Sequence, residues 1–225
     1  FITEAQVAFL ESQMWKKGYL TGEQMAGTFS ALRSNDLVWG KMVAEYMLGN
    51  KSTLNDLMAW NADTTRMPYR MHSEYLRTMF LDNELARDRY KVNGETVSLQ
   101  DIRIPLFTVG TETDHVAPWK SVWKVNLLTN SDDITFALTS GGHNAGIVSP
   151  VGHPRRSHRI STSTSRDLIR NPDEWAEKQE RVQGSWWGPW EKWLSDHSTG
   201  HTAPPAMGSK DYPGIEAAPG QYILG

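Results

Sequence analysis

Cysteine is absent from this 225-residue chain. Its absence excludes a disulfide framework and a thiolate zinc site, and it leaves the chain without a cysteine nucleophile of its own. An excess of either charge is also lacking: 23 Lys and Arg against 26 Asp and Glu leave a formal net charge of -3. Polyanion binders usually show a basic excess or stripe, so nucleic acid is not an expected partner. No apolar run approaches the roughly 20 residues needed to span a bilayer, and no signal-peptide order opens the chain. A cytoplasmic protein without a membrane span is therefore expected. An initial Met is missing too. Phe1-Ile2-Thr3-Glu4 leads straight into a helix start, and the natural protein is expected to continue upstream of Phe1.

What is present is globular: 39% hydrophobic and 22% charged residues suffice for a core in one or two units. Residues 1–89 read as a helical block. Thr3 with Gln6 and Thr21 with Gln24 have capping-box spacing, Gly18 stands at a helix stop, and Val7, Leu10 and Met14 share a helical face. Further helices are expected over 36–48 and 68–87, the second with Pro68 in its first turn and Leu76 and Phe80 four apart. Arg33, Asp36, Asp63 and Arg66 are candidates for a buried ion-pair set holding this block together.

The period changes at Tyr90. Asn93-Gly94 between two short alternating runs signals a β-hairpin. Residues 104–109 form a short apolar run of the buried-strand kind, 118–128 a helix and 134–138 a second strand, an order that favours parallel pairing through a crossover helix. A basic, hydroxyl-rich loop is expected over 153–166. Two helices follow, one opening at Pro172-Asp173-Glu174 and one carrying a stripe of Trp186, Trp190, Trp193 and Leu194 with Pro189 near its start. Most of the ten Trp residues are expected to pack in cores. From 198 to 225 the Pro, Gly and Ala content fits an extended tail.

Two side chains stand where chemistry gathers. Asp114 follows the first strand and His143 follows the second, in the turn Gly141-Gly142-His143. Loops beyond strand carboxyl ends converge over an open α/β sheet. An acid followed by a histidine, with one helix and one strand between, matches the end of the α/β-hydrolase order of nucleophile, acid, histidine. In such a pair the histidine shuttles the nucleophile's proton while the acid fixes its tautomer. From position alone two readings stand: a catalytic pair, or polar groups satisfied within loops. His115 is read as a structural or rim residue. His153 and His158 with Arg155, Arg156 and Arg159 are either a solvated basic loop or a phosphate-binding cluster. No metal site is expected.

Several segments resemble, in order, the C-terminal half of the polyhydroxyalkanoate synthase family. They are Gly18-Tyr19-Leu20, Leu32-Arg33-Ser34-Asn35-Asp36-Leu37, Trp60-Asn61-Ala62-Asp63, Met71-His72-Ser73-Glu74-Tyr75-Leu76-Arg77 and Asp114-His115-Val116-Ala117-Pro118-Trp119. Gly142-His143-Asn144-Ala145-Gly146, Gly184-Ser185-Trp186-Trp187 and Ala218-Pro219-Gly220-Gln221-Tyr222 continue the resemblance. Asn144 and Ser149 depart from it, standing where better-known members more often have an apolar residue and Asn.

The resemblance implies the C-terminal part of an α/β-hydrolase fold: a helical cap over 1–89, core elements over 90–197 and a tail over 198–225. It implies a cysteine nucleophile in a Gly-x-Cys-x-Gly elbow before Phe1, with Asp114 and His143 as partners. Trp119, next to Asp114, is read as a wall of the acyl pocket, and the departing Asn144 as a further substrate-binding candidate. No Gly-x-Ser-x-Gly elsewhere in the chain offers a substitute. The implied activity is acyl transfer from 3-hydroxyacyl-coenzyme A to a growing polyester, without a cofactor. A homodimer, placed in the cytoplasm or on polyester granules, is implied as well. Rival expectations are a hydrolase or depolymerase passing the acyl group to water, and a non-catalytic self-association or granule-binding module.

Overall fold

The structure is a computed structural model and describes residues 2–25, 39–40, 42–50, 66–164 and 169–217. The chain divides into two compact units, residues 1–83 with 206–225, and residues 84–205.

In the first unit, helix α1, Glu4–Met14, opens on a capping box: the Gln6 amide donates to Thr3 Oγ1 at 3.3 Å and the Thr3 amide to Gln6 Oε1 at 2.9 Å. Val7 and Met14 are its buried face. Gly18, at a φ of 78°, closes the turn after it by donating to the Met14 carbonyl at 2.8 Å. Thr21 and Gln24 form the second expected box, with amide bonds of 3.0 and 3.2 Å. Helix α2, Tyr69–Tyr75, widens into a π-helical stretch, Leu76–Leu81. The helix expected over 68–87 stops there, since Asn83 turns left-handed at a φ of 50°. Arg77 joins α1 to this stretch, its Nε and Nη2 donating to the two Glu11 oxygens, each at 2.9 Å, and its Nη1 to Glu4 at 2.7 Å. Of the helix expected over 36–48, residues 39–40 and 42–48 are described, and Met42–Met47 form a π-helical turn. Three of the four expected ion-pair residues, Arg33, Asp36 and Asp63, lie outside the described residues. Arg66 lies over the Tyr19 ring, 4.8 Å from its centre.

The second unit begins with the expected hairpin: strands β1, Lys91–Val92, and β2, Glu95–Thr96, are joined by Asn93 and Gly94, both at positive φ. A four-stranded sheet follows in the order β3-β4-β5-β6, from strands Leu106–Thr111, Ile134–Thr139, Ser157–Ser163 and Val182–Gln183. The β3 and β4 strands are parallel, Leu106 opposite Ile134 through Thr111 opposite Thr139, and the remaining pairs are antiparallel. The crossover expected as one helix is two, α3, Trp119–Trp123, and α4, Val125–Leu128, broken at Lys124. Helix α5 is His143–Ile147, and α6 is Pro172–Lys178, where Asn171 caps the Asp173 amide at 2.9 Å.

Strand β5 lies where a loop was expected. Its sequence, Ser157 to Ser163, carries hydroxyls instead of a hydrophobic alternation, so a pattern search misses it. Several of these hydroxyls are paired: Thr135 Oγ1 meets Thr162 Oγ1 across the sheet at 2.7 Å, and Ser161 accepts from the indole of Trp175 on α6 at 2.8 Å. Pairing removes the cost of burying them.

All six β4 residues are buried. Trp123, Phe136, Leu138 and Trp175 form the core cluster, and the three aromatic rings lie 4.8 to 5.1 Å apart between centres. Helix α7, Trp187–Asp196, carries the expected tryptophan stripe, but only its leading residue, Trp186, is buried. Trp190 and Leu194 are 39% and 41% exposed. Residues 201–217 contain neither helix nor strand. Among the described residues no helix is long and apolar enough to cross a membrane.

Trp175 contributes ring area and a satisfied indole to this core, so Trp175→Ala is expected to cost about 3–5 kcal/mol. Trp175→Phe, which keeps a ring and loses only the bond to Ser161, is expected to cost less. Denaturant midpoints of the two variants check the order.

Candidate active site

The parallel register of β3 and β4 fixes where their following loops meet. Thr111 and Thr139 are paired, and the pairing runs one step further: the Glu112 amide donates to the Thr139 carbonyl at 2.9 Å and the Thr113 amide to the Gly141 carbonyl at 3.1 Å. Asp114 follows three residues after Thr111, its amide turned back onto the Thr111 carbonyl at 3.2 Å. His143 follows four residues after Thr139 and is the first residue of α5.

The two side chains meet. His143 Nδ1 lies 2.9 Å from Asp114 Oδ2. The same oxygen accepts from the Thr111 hydroxyl at 3.2 Å, and Oδ1 accepts from the Val116 and Ala117 amides, both at 2.8 Å. The Asp114 side chain is 7% exposed and that of His143 44%. Burial pushes the Asp114 pKa up, but the Ala117 amide, His143 and the Val116 amide together outweigh it. The carboxyl is therefore held below the ordinary aspartate value. An ionised acid on Nδ1 selects the tautomer with its proton there. Nε2 is then the ring nitrogen with a lone pair for another group's proton.

Two glycines allow this approach. Gly141 has a φ of 111°, which side-chain-bearing residues rarely adopt. A Cβ on Gly146 would stand 2.5 Å from Thr111 Cγ2, so only glycine lets α5 lie against the end of β3. The loops bearing the acid and the histidine thus touch through Thr111, which also holds the acid.

Trp119 and Asn144 are not brought into this hydrogen-bond set. Trp119 packs against the aromatic core, its ring centre 6.5 Å from that of Trp175. Asn144 is half-buried on α5. The basic residues of 153–159 disperse. His158 is buried on β5 with Nδ1 3.0 Å from the Gly184 carbonyl, and Arg159 donates to Glu112 at 2.7 Å. Arg181 donates to the same Glu112 oxygen. Two of the five residues of the expected basic loop are thus committed inside the sheet. His115 is exposed. Among the described residues no group of three or more His, Cys, Asp or Glu is placed to hold a metal ion.

Sequence reasoning missed Thr111, Gly146 and the role of Gly184 to Trp187. The Trp186 and Trp187 indoles donate to the Gly146 and Ile147 carbonyls at 3.2 and 3.0 Å, and Ser185 Oγ donates to the Ser149 carbonyl. The available signal was the Gly-Ser-Trp-Trp string itself, read as a landmark of the resemblance with only its Trp186 placed on the packing stripe.

No family model matches the chain. Curated proteins do. A protein named "Poly(3-hydroxyalkanoate) polymerase subunit PhaC" from Rhizobium etli is 34% identical over 224 residues, covering 100% of this chain and 34% of that protein. The protein of the same name from Cupriavidus necator is 36% identical over 206 residues, covering 91% of this chain and 34% of its own length. "Poly(3-hydroxyalkanoate) polymerase" from Methylorubrum extorquens is 34% identical over 224 residues, covering 99% of this chain and 36% of its own length. The chain thus spans little more than a third of the curated relatives it matches.

Two outcomes test the geometry without reference to any reaction. Gly146→Ala is expected to cost about 1–3 kcal/mol through overpacking on Thr111. Gly142→Ala, whose added Cβ has no neighbour nearer than 3.7 Å, is expected to cost less. The depressed Asp114 carboxyl stabilises the fold at pH values above the unfolded value of about 3.9, and that contribution is lost as pH falls through the lower folded value. The stability gap between the native protein and Asp114→Asn should therefore be widest near neutrality and shrink in acid, read from unfolding midpoints across pH 2 to 7.

Proposed function

This chain is homologous, along nearly its whole length, to the C-terminal portion of the poly(3-hydroxyalkanoate) polymerase family, and from that premise we propose that it supplies the acid–histidine half of a polyester-forming acyltransferase site. The observation that carries the reading is the 2.9 Å contact between His143 Nδ1 and the buried Asp114 carboxylate, at the carboxyl ends of two parallel strands. In this reading the mixed sheet is the C-terminal part of an α/β-hydrolase core, and residues 1–89 belong to its cap. The nucleophile is a cysteine contributed by a part of the protein N-terminal to this chain.

In this reaction the cysteine thiolate attacks the carbonyl of a 3-hydroxyacyl-coenzyme A thioester. The carbon–sulfur bond to coenzyme A breaks, and the thiol leaves with the proton that His143 Nε2 took from the cysteine. The acyl group now sits on the enzyme as a second thioester. Exchange between thioesters changes little free energy, so the acyl group stays activated. His143 then takes the proton of a 3-hydroxyl on another acyl unit, and that oxygen attacks the enzyme thioester. An ester bond forms, the carbon–sulfur bond breaks, and the proton returns to sulfur. Asp114 stays ionised throughout and stabilises the imidazolium that appears twice per cycle. No cofactor is needed. The acyl thioester and the growing polyester are the partners, in a homodimer placed in the cytoplasm or on polyester granules.

Turnover of a 3-hydroxyacyl-coenzyme A by the complete protein tests the reading. His143→Ala and Asp114→Asn are each expected to lower the rate of thiol release by about a thousand-fold or more. The product is expected to be polymer with little free hydroxy acid. Free acid alone would replace the reading with a hydrolase. Residues 1–225 by themselves are expected to release no thiol.

A further inference from the structure

The histidine of the site sits on a helix too short to hold itself. Helix α5 has five residues, and isolated helices well over twice that length are marginal in water. Its last carbonyls have no partners within the helix, as at any helix end. The direction of its axis, and with it the placement of His143 in its first turn, must come from outside.

We propose that Ser185, Trp186 and Trp187 are positioning residues for His143, gripping the carbonyl end of α5 so that its amino end stays on Asp114. Three consecutive residues make three donor contacts, two to that end and one to the chain two residues beyond it. Trp186 Nε1 reaches the Gly146 carbonyl at 3.2 Å, Trp187 Nε1 the Ile147 carbonyl at 3.0 Å, and Ser185 Oγ the Ser149 carbonyl. The grip is itself fixed. Ser185 Oγ accepts from the Trp187 amide at 3.0 Å, which orients the second indole, and Trp186 stacks on Phe107 of β3 with centres 6.2 Å apart. Gly184 ties the segment to the neighbouring strand region, donating to the Arg156 carbonyl at 2.7 Å while its own carbonyl lies 3.0 Å from His158 Nδ1.

The opposite side of α5 rests on Thr111 through Gly146. Gly146 therefore links both contacts: its Cα meets the residue that holds the acid, and its carbonyl takes an indole from the grip. A fixed axis between these two contacts keeps the imidazole at 2.9 Å from the carboxylate. Trp190 serves as an internal comparison, since it lies on the same helix as Trp187 and meets the Trp186 ring but makes no bond to α5.

The inference rests on the acid–histidine reading above, and the test separates the two. In the complete protein, Trp187→Phe keeps a ring and removes the donor. It is expected to lower kcat for thiol release about ten- to a hundred-fold with KM within about twofold, as for a small misplacement of a reacting group. The resonance of the Nδ1 proton shared by His143 and Asp114 is expected to shift or broaden in the same variant. Trp190→Phe is expected to leave both readouts at their native values. An unshifted Nδ1 proton resonance in Trp187→Phe would overturn the positioning role, as would kcat within twofold of native or equal losses in both variants. If Trp187→Phe melts early, Ser185→Ala against Ser185→Thr gives the same comparison, with the hydroxyl variant expected to retain kcat and the Ala variant to lose it. Native turnover in His143→Ala would instead remove the acid–histidine reading, and the positioning role with it.

Discussion

The site depends on one pairing, the parallel register that sets Thr111 opposite Thr139. A shift of one residue would turn every β3 side chain to the other face and move Asp114 by more than 3 Å along the strand. The buried β4 strand resists such a shift, because all six of its residues are covered and its Phe136 and Leu138 belong to the aromatic core. Packing beneath the sheet thus has a consequence at its rim. The tryptophans of the crossover and of α6 help to set the Asp114–His143 geometry by holding the register, although none of their polar atoms reaches the acid or the histidine.

At the rim, hydrogen bonding takes over from packing. Asp114 is nearly buried, and its charge is kept by four donors, of which His143 is one. A buried carboxylate without such partners would take up a proton and cease to orient an imidazole. The adjacent Glu112 uses the same economy differently: its carboxylate ties Arg159 of β5 to Arg181, just before β6. One end of β3 therefore carries two acids with separate duties, one toward the histidine and one toward the sheet's antiparallel side.

Much of the architecture was legible in the sequence. The capping boxes at Thr3 and Thr21, the Asn93-Gly94 turn, the two parallel strands and the order of acid and histidine were all read from residue types whose local chemistry dictates one conformation. Strand β5 escaped because Ser157 is buried and Ser161 half-buried with their hydroxyls bonded, and no hydrophobic period reports such a strand. The break at Lys124 and the π-helical stretches at Met42–Met47 and Leu76–Leu81 escaped because no residue type at these positions signals them. Asp114 and His143 were singled out by their place after strands, and their reading as a pair rested on the family resemblance. Thr111 and Gly146 were not, for a threonine at a strand end and a glycine in a turn acquire meaning only when a third element arrives between them.

The four bonds to Asp114 have a consequence beyond orientation. A carboxylate offers roughly four acceptor positions, and here two amides, a hydroxyl and an imidazole occupy them. The acid is saturated. A divalent cation seeking an oxygen ligand at Asp114 must displace one of these donors, three of which belong to its own chain segment and cannot diffuse away. The geometry of a single turn thereby commits three of the carboxylate's acceptor positions to its own chain segment, and the histidine takes the fourth.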